Sequence, residues 1–168
     1  MYDQRYFSEQ QAKYQAALED LNVTRGCSVL DVGCGTGLFF ESITGKAGLV
    51  VGVDISRGLL LQANERAKAH ENVYVVLGDA DHLPFTERFF GMVFAFTVLQ
   101  NMPKPVETLK EFSRVASPKA SIVATALKRA IALEAFADMI EQAGLKAISL
   151  KDDESLQCYV VVTEHDPK

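Results

Sequence analysis

Val29-Leu30-Asp31-Val32-Gly33-Cys34-Gly35-Thr36-Gly37 decides how this chain is read. An apolar strand runs straight into three glycines at alternate positions, and a short helix ending near Gly45 is expected behind them. Glycine permits a tight turn and lets a ligand approach the main chain closely. Free N–H groups at a helix start favour a negatively charged ligand group. A dinucleotide fingerprint needs Gly-x-Gly-x-x-Gly. Its third glycine would fall on Leu38 in one frame and on Phe40 in the other. A P-loop needs Gly-Lys-Ser/Thr, whereas Gly45-Lys46 is succeeded by Ala47. The loop is Gly-x-Gly-x-Gly, which disfavours a nicotinamide-dependent oxidoreductase.

Outward from the loop, strand-like and helix-like segments alternate almost end to end. That pattern predicts an α/β fold with a mainly parallel sheet. Strands are expected at Ser28–Val32, Leu49–Val53, Val73–Leu77, Gly91–Phe96, Ser121–Leu127, Lys146–Leu150 and Leu156–Thr163. Tyr6–Leu21 is expected as a helix with Phe7, Tyr14, Leu18 and Leu21 on one face. Further helices are expected over Arg57–His70, from Pro103 and Pro105 onward, and up to a left-handed cap at Gly144. Val73–Leu77 is apolar on both faces, as in a strand that helices cover on both sides. The polar turn Lys151–Ser155 predicts that the last two strands form an antiparallel hairpin.

Three acids accompany the loop. Asp54 ends the second strand about twenty residues further on, where an acid reaches the two ribose hydroxyls in nucleotide-binding sheets. Asp79 ends the third strand, placed to accept from an adenine amino group. Asp31 lies in the first strand, just before the glycines. One strand-end aspartate is usually a cap or a turn residue. Three on successive strands beside a glycine loop converge on the crevice where such sheets bind ligands.

From Val29 to Leu127 the sequence resembles the class I S-adenosylmethionine-dependent methyltransferases. Asp31, Gly33, Gly35 and Gly37 match the first motif of that family, and Asp54-Ile55-Ser56 the second. Asp79-Ala80 with Leu83-Pro84-Phe85 matches the third. Glu111–Val115 resembles the stretch before strand five, although Pro118-Lys119-Ala120 replaces the usual Pro-Gly-Gly turn. The resemblance implies a single domain with strand order 3-2-1-4-5-7-6, strand seven antiparallel and helices on both faces. Residues 1–24 would be an N-terminal helical segment, 28–127 a cofactor-binding core, and 131–163 a C-terminal helix and hairpin. The implied cofactor is S-adenosyl-L-methionine. Asp31 and the amides of the Gly33–Thr36–Gly37 loop would hold its methionine end. Asp54, in one motif with Ile55 and Ser56, would take the ribose. Leu59 would pack near the adenine, and Asp79 with the Ala80 amide would read the adenine edge. Phe96 and Thr97 would lie near the reactive methyl. Tyr2 and Tyr6 either cap the methionine end or pack the first helix.

Composition excludes several other classes. With 48% hydrophobic and 23% charged residues over 168 positions, the chain suits one globular domain. No apolar stretch reaches the roughly eighteen residues of a membrane helix, and the N-terminus has no apolar leader core; a cytoplasmic protein is expected. The net charge of −5 disfavours a nucleic-acid clamp, and DNA is not an expected partner. Three cysteines without a Cys-x-x-Cys pair suit reduced, buried thiols, so no metal site is expected.

Methyl transfer from a sulfonium is an in-line displacement in which positioning does much of the work, and a general base is optional. No catalytic residue stands out. His82 belongs by the adenine, His70 and His165 in solvent, and Gln100-Asn101 either orients an acceptor or begins a loop. The Asn-Pro-Pro-Tyr signature is absent after strand four, which disfavours amino-group methylation of bases and glutamine. Only Lys128–Ala130 separates strand five from the next helix, too short for a lid. An open site favours a large acceptor, RNA or protein, over a small molecule, or a partner that completes the pocket. Val73–Leu77 would be a sheet edge without lysine or proline, open to a second copy or a small activator subunit. The alternative is a non-catalytic cofactor-binding subunit.

Overall fold

The alternation of segments folds into one seven-stranded sheet in the computed structural model, which describes the backbone of residues 2–166 and the side chains of residues 4–166. In chain order the elements are α1 (Tyr2–Leu18), β1 (Ser28–Val32), α2 (Phe40–Ile43), β2 (Leu49–Asp54), α3 (Arg57–Ala67) and β3 (Val73–Leu77). They continue as β4 (Phe90–Ala95), a 3₁₀ turn (Leu99–Asn101), α4 (Pro105–Val115), β5 (Ala116–Leu127), α5 (Leu133–Gln142), β6 (Lys146–Lys151) and β7 (Cys158–Glu164). The strand order is β3-β2-β1-β4-β5-β7-β6, with β7 antiparallel to both of its neighbours. That is the order and polarity that the resemblance implies.

Alternation along each strand sorts the core into two layers. Leu30, Val32, Val93 and Ile122 pack with Leu109 and Phe112 of α4 and Phe136 of α5. Val29, Val50, Phe94 and Val123 pack on the other face with Tyr14 of α1, Phe39 just before α2, Phe40 of α2, and Ala63 of α3. Burying large side chains on both faces contributes roughly 1.5–3 kcal/mol for each one fully removed from water. The same alternation puts Asp31 with Val29 on the α1 side, where it is only 2% exposed.

Four expectations need correction. The first helix begins at Tyr2, and its inward positions are Gln10, Lys13, Tyr14 and Ala17, while Phe7 stays 48% exposed. β3 is not covered on both faces: Tyr74 is 58% and Leu77 50% exposed, because the strand lies at the sheet's edge. The helix α2 is only four residues long and starts three residues past Gly37, so the glycine loop does not open directly onto a helix. β5 begins at Ala116 rather than Ser121, because α4 runs into it without an intervening loop.

Within that early part of β5, Lys119 holds φ +63°, the left-handed conformation that a glycine would adopt freely. A non-glycine residue there costs roughly 1–2 kcal/mol, of which the greater freedom of glycine in the unfolded chain takes back part. Lys119→Gly is therefore expected to stabilise the fold by about 0.5–1 kcal/mol. A raised urea midpoint is the expected reading; an unchanged or lowered one contradicts the strain.

Candidate functional site

Two adjoining cavities open at the carboxyl ends of β1, β2, β3 and β4. The larger, about 530 Å³, is lined by residues following all four strands, including Gly35, Asp54, Ile55, Leu59, Asp79 and Ala80. The smaller, about 220 Å³, lies under α1 and includes Tyr6, Gln10, Tyr14, Asp31, Thr36 and Leu38. Gly33, Gly35, Leu59, Phe96 and Thr97 line both, so these five form the junction between the two.

The loop between the cavities is held by its own hydrogen bonds. The Gly33 and Cys34 amides donate to the Val53 carbonyl at 2.8 and 3.0 Å, and the Gly37 amide donates to Cys34 at 2.9 Å. The Gly35 amide donates to Asp54 Oδ2 at 2.9 Å. These amides are therefore spent inside the protein, and the expected cradle of free loop N–H groups reduces to Thr36 and Leu38. Gly35 carries φ +55°, and a Cβ built on it meets nothing within 4 Å. Its missing side chain leaves open cavity. Gly37 differs: a Cβ there would lie 2.5 Å from the Phe40 ring, and Gly37 lines neither cavity.

Asp54 ties the loop to the next helix. Its Oδ1 accepts from the Ser56 amide at 2.8 Å while Oδ2 holds Gly35. Ser56 lines neither cavity; it caps α3, its Oγ accepting from the Leu59 amide at 3.3 Å. Asp79 is organised in the same way, its Oδ1 accepting from the Asp81 amide at 2.9 Å. The turn after it is clamped to α4: Glu111 accepts from the Leu83 amide at 2.8 Å, and Arg114 donates to the carbonyls of Leu83 and Phe85, each at 3.0 Å. His82 faces an outer groove with Lys104, Glu107 and Arg114 rather than the larger cavity.

Asp31 lines the smaller cavity, which among the described residues contains no lysine, arginine or histidine. Burial, and secondarily the negative Asp54 nearby, hold its carboxyl well above the usual carboxylate range. Tyr14 beside it is likewise pushed up, first by burial and then by Asp31.

Of the residues expected at a site, Asp31, Gly33, Gly35, Thr36, Asp54, Ile55, Leu59, Asp79, Ala80, Phe96 and Thr97 line one or both cavities. Tyr6 lines the smaller one, and the side chain of Tyr2 lies outside the described residues. Sequence reasoning missed Gln10 and Tyr14 as lining residues, although Tyr6, Gln10 and Tyr14 recur at four-residue spacing on one helix face. It also missed Asp81 and the wall made by Val98, Met102 and Pro103 around the 3₁₀ turn; of the pair Gln100-Asn101 singled out in that turn, Asn101 lines the larger cavity. Among the described residues no group of acids, histidines and cysteines is arranged to hold a metal, and no helix is long and apolar enough to cross a membrane.

Residues 30–124 match the family model described as a methyltransferase domain. The chain is 34% identical over 120 residues to a demethylmenaquinone methyltransferase of Staphylococcus aureus, covering 70% of this chain and 50% of that protein. It thus spans about half the length of the curated relatives it matches. Among solved structures, a SAM-dependent methyltransferase from Aquifex aeolicus superposes with TM-score 0.80 at 19% identity, over 90% of this chain and 89% of that one. The complex between the Haloferax volcanii Trm112 methyltransferase activator and a methyltransferase contains a chain with TM-score 0.84 at 15% identity, over 99% and 94%. At such identities these two likenesses establish the fold alone.

Proposed function

The chain belongs to the methyltransferase domain family, and from that premise we propose that it binds S-adenosyl-L-methionine and catalyses transfer of its methyl group to an acceptor. One observation carries the reading: two joined cavities, one offering Asp54 and Asp79, the other a buried Asp31 without a counter-charge. An adenosine at one end and an ammonium-bearing amino acid at the other answer these features in turn. The residues fit this ligand, since Gly35 leaves open space at the junction and the Thr36 and Leu38 amides suit the amino acid's carboxylate. The absence of side-chain partners for Asp31 is what the ammonium would remedy. In this assignment residues 28–127 are the cofactor-binding core, residues 1–24 close the amino-acid end through Tyr6, Gln10 and Tyr14, and 131–163 complete the sheet.

When bound, the cofactor would supply an electrophilic methyl on a positively charged sulfur, with the neutral thioether as its leaving group. The protein's part is to fix the ribose with Asp54, the adenine edge with Asp79 and Ala80, and the ammonium with Asp31. The outer wall of the larger cavity is apolar at Val98, Met102 and Pro103, with Asn101 as its polar residue, and supports a ring-bearing apolar acceptor. The demethylmenaquinone methyltransferase named above points to the same class. Incubation with methyl-labelled cofactor and hydroquinones, bulk tRNA or cell protein tests this. Label in the hydroquinone fraction is expected. Label in tRNA or protein instead would move the acceptor class, and label nowhere despite cofactor binding would favour a non-catalytic subunit. The three free cysteines support a reducing, cytoplasmic setting.

A strand-donating partner at β3 belongs to the same reading. The edge strand carries no lysine or proline, and Tyr74, Leu77 and Leu61 of α3 are exposed around it. The Haloferax complex is a precedent for a fold of this kind assembled with an activator. Light scattering at micromolar concentration should show a dimer, or a stable complex with such an activator, with slowed amide exchange at residues 73–77. A fully active monomer whose β3 amides exchange freely excludes the interface.

A further inference from the structure

We propose that Glu111, Arg114 and Thr108 of α4 are positioning residues for the adenine. They aim the loop that reads its edge, and so set how strongly the site prefers a 6-aminopurine to a 6-oxopurine. The inference rests on the cofactor reading above. It concerns residues 79–85, which follow β3 and supply Asp79, Ala80 and Asp81 to the larger cavity.

Within this loop the Asp81 amide donates to Asp79 Oδ1 at 2.9 Å and the His82 amide to the Asp79 carbonyl at 3.0 Å. Among the described residues, the other hydrogen bonds to residues 79–85 come from α4. Glu111 Oε1 accepts from the Leu83 amide at 2.8 Å, and Arg114 Nη2 donates to the Leu83 carbonyl at 3.0 Å. One ion pair thus grips both main-chain groups of Leu83. Arg114 Nη1 reaches on to the Phe85 carbonyl at 3.0 Å, while Nε and Nη2 hold Glu111 at 2.8 and 2.7 Å. Thr108, fully buried, donates to Asp81 Oδ1, and Asp81 is the residue whose amide orients Asp79. The three side chains recur every third residue along α4, as neighbours on a helix surface do. Pro84 carries the grip back to the strand. A Cβ built on Gly78 would lie 3.0 Å from Pro84 Cδ, so the proline ring rests against the residue just before Asp79.

This grip aims the loop more than it stabilises the fold. Arg114 is 38% and Glu111 16% exposed, and a partly exposed ion pair adds little to folding. Burial works against an ionised Glu111, yet the bonds from Arg114 and the Leu83 amide hold its carboxyl below the ordinary range. What the bonds do fix is where Asp79 and Ala80 stand, and such recognition tolerates about half an ångström of error. An adenine gives an amino proton to Asp79 and accepts at N1 from the Ala80 amide. A 6-oxopurine reverses both, setting a carbonyl against the carboxylate and an N–H against the amide. The preference between the two is therefore the property most sensitive to the loop's position.

S-adenosylhomocysteine and S-inosylhomocysteine differ only at that edge, and calorimetry on the purified chain measures both. The parent is expected to bind the adenosyl ligand about tenfold or more tightly than the inosyl one. Arg114→Lys cannot fork to two carbonyls. That variant, Glu111→Ala and Thr108→Val should each cut the preference to about threefold or less, through weaker adenosyl binding, with inosyl binding kept within about threefold. Thr108→Ser should restore the preference. Lys110→Ala, which removes an exposed ion pair of the same helix, should leave it as in the parent. Melting curves show which variants are folded, and Thr108→Val, close to threonine in shape, decides the matter if an ion-pair variant unfolds. Equal loss of both ligands, an undiminished preference in folded variants, or a parent without preference overturns the positioning role. A parent that binds neither ligand overturns the cofactor reading instead, and that result is distinct.

Discussion

Gly35→Val is expected to abolish cofactor binding, raising the dissociation constant by roughly 100-fold or more, which corresponds to at least about 2.7 kcal/mol. Two effects act together. A valine would be forced into φ +55°, where a β-branched residue is strained. Its side chain would also stand in the open space between the two cavities, since a Cβ built there meets nothing within 4 Å. The surrounding core is untouched, so the variant should melt only a few degrees below the parent. Calorimetry with S-adenosylhomocysteine and a melting curve on the same sample separate loss of site from loss of fold. A folded valine variant with unchanged affinity would reduce the loop to a tight turn.

Asp31→Asn is expected to move binding and stability in opposite directions. Loss of a charge-assisted hydrogen bond to the ammonium costs about 1.5–3 kcal/mol, or roughly 10- to 150-fold in affinity. The free protein should gain stability, because a buried carboxyl without a counter-charge is replaced by a neutral amide. The sign of the pH dependence follows from the raised carboxyl. Below its raised folded value Asp31 is protonated in the free protein, whereas the ammonium binds the carboxylate. Affinity should therefore rise with pH up to that value, and the rise should be absent in the asparagine variant. Stability of the free protein should run the other way. The unfolded chain ionises near the ordinary carboxylate value, about 4, and the native state ionises only later, so stability falls between the two. A variant that binds normally, or a wild type whose affinity is flat with pH, removes Asp31 from the amino-acid end.

The strand ends were legible because glycines and aspartates at the ends of apolar runs have few structural reasons to cluster. β1 and β3 fall where short apolar runs are read as strands. β5 was misjudged because Ser117-Pro118-Lys119 reads as a turn, while the folded chain accommodates it within an irregular strand by placing Lys119 in the left-handed region. The loop amides were misjudged for a different reason. Which N–H groups are free depends on the fold of the loop over Val53 and Asp54, a tertiary contact that no local motif encodes. The wall of Val98, Met102 and Pro103 reaches the cavity by chain reversal after β4, so its residue types carry no signal. Gln10 was within reach, since it lies four residues from both Tyr6 and Tyr14, on the same helix face.

The most direct test of the central claim is titration of the purified chain with S-adenosylmethionine and, separately, with NAD in a calorimeter. Saturable one-to-one binding of S-adenosylmethionine, lost in Gly35→Val and weakened in Asp31→Asn, with no heat from NAD, is the predicted result. Saturable binding of NAD without binding of S-adenosylmethionine would contradict it.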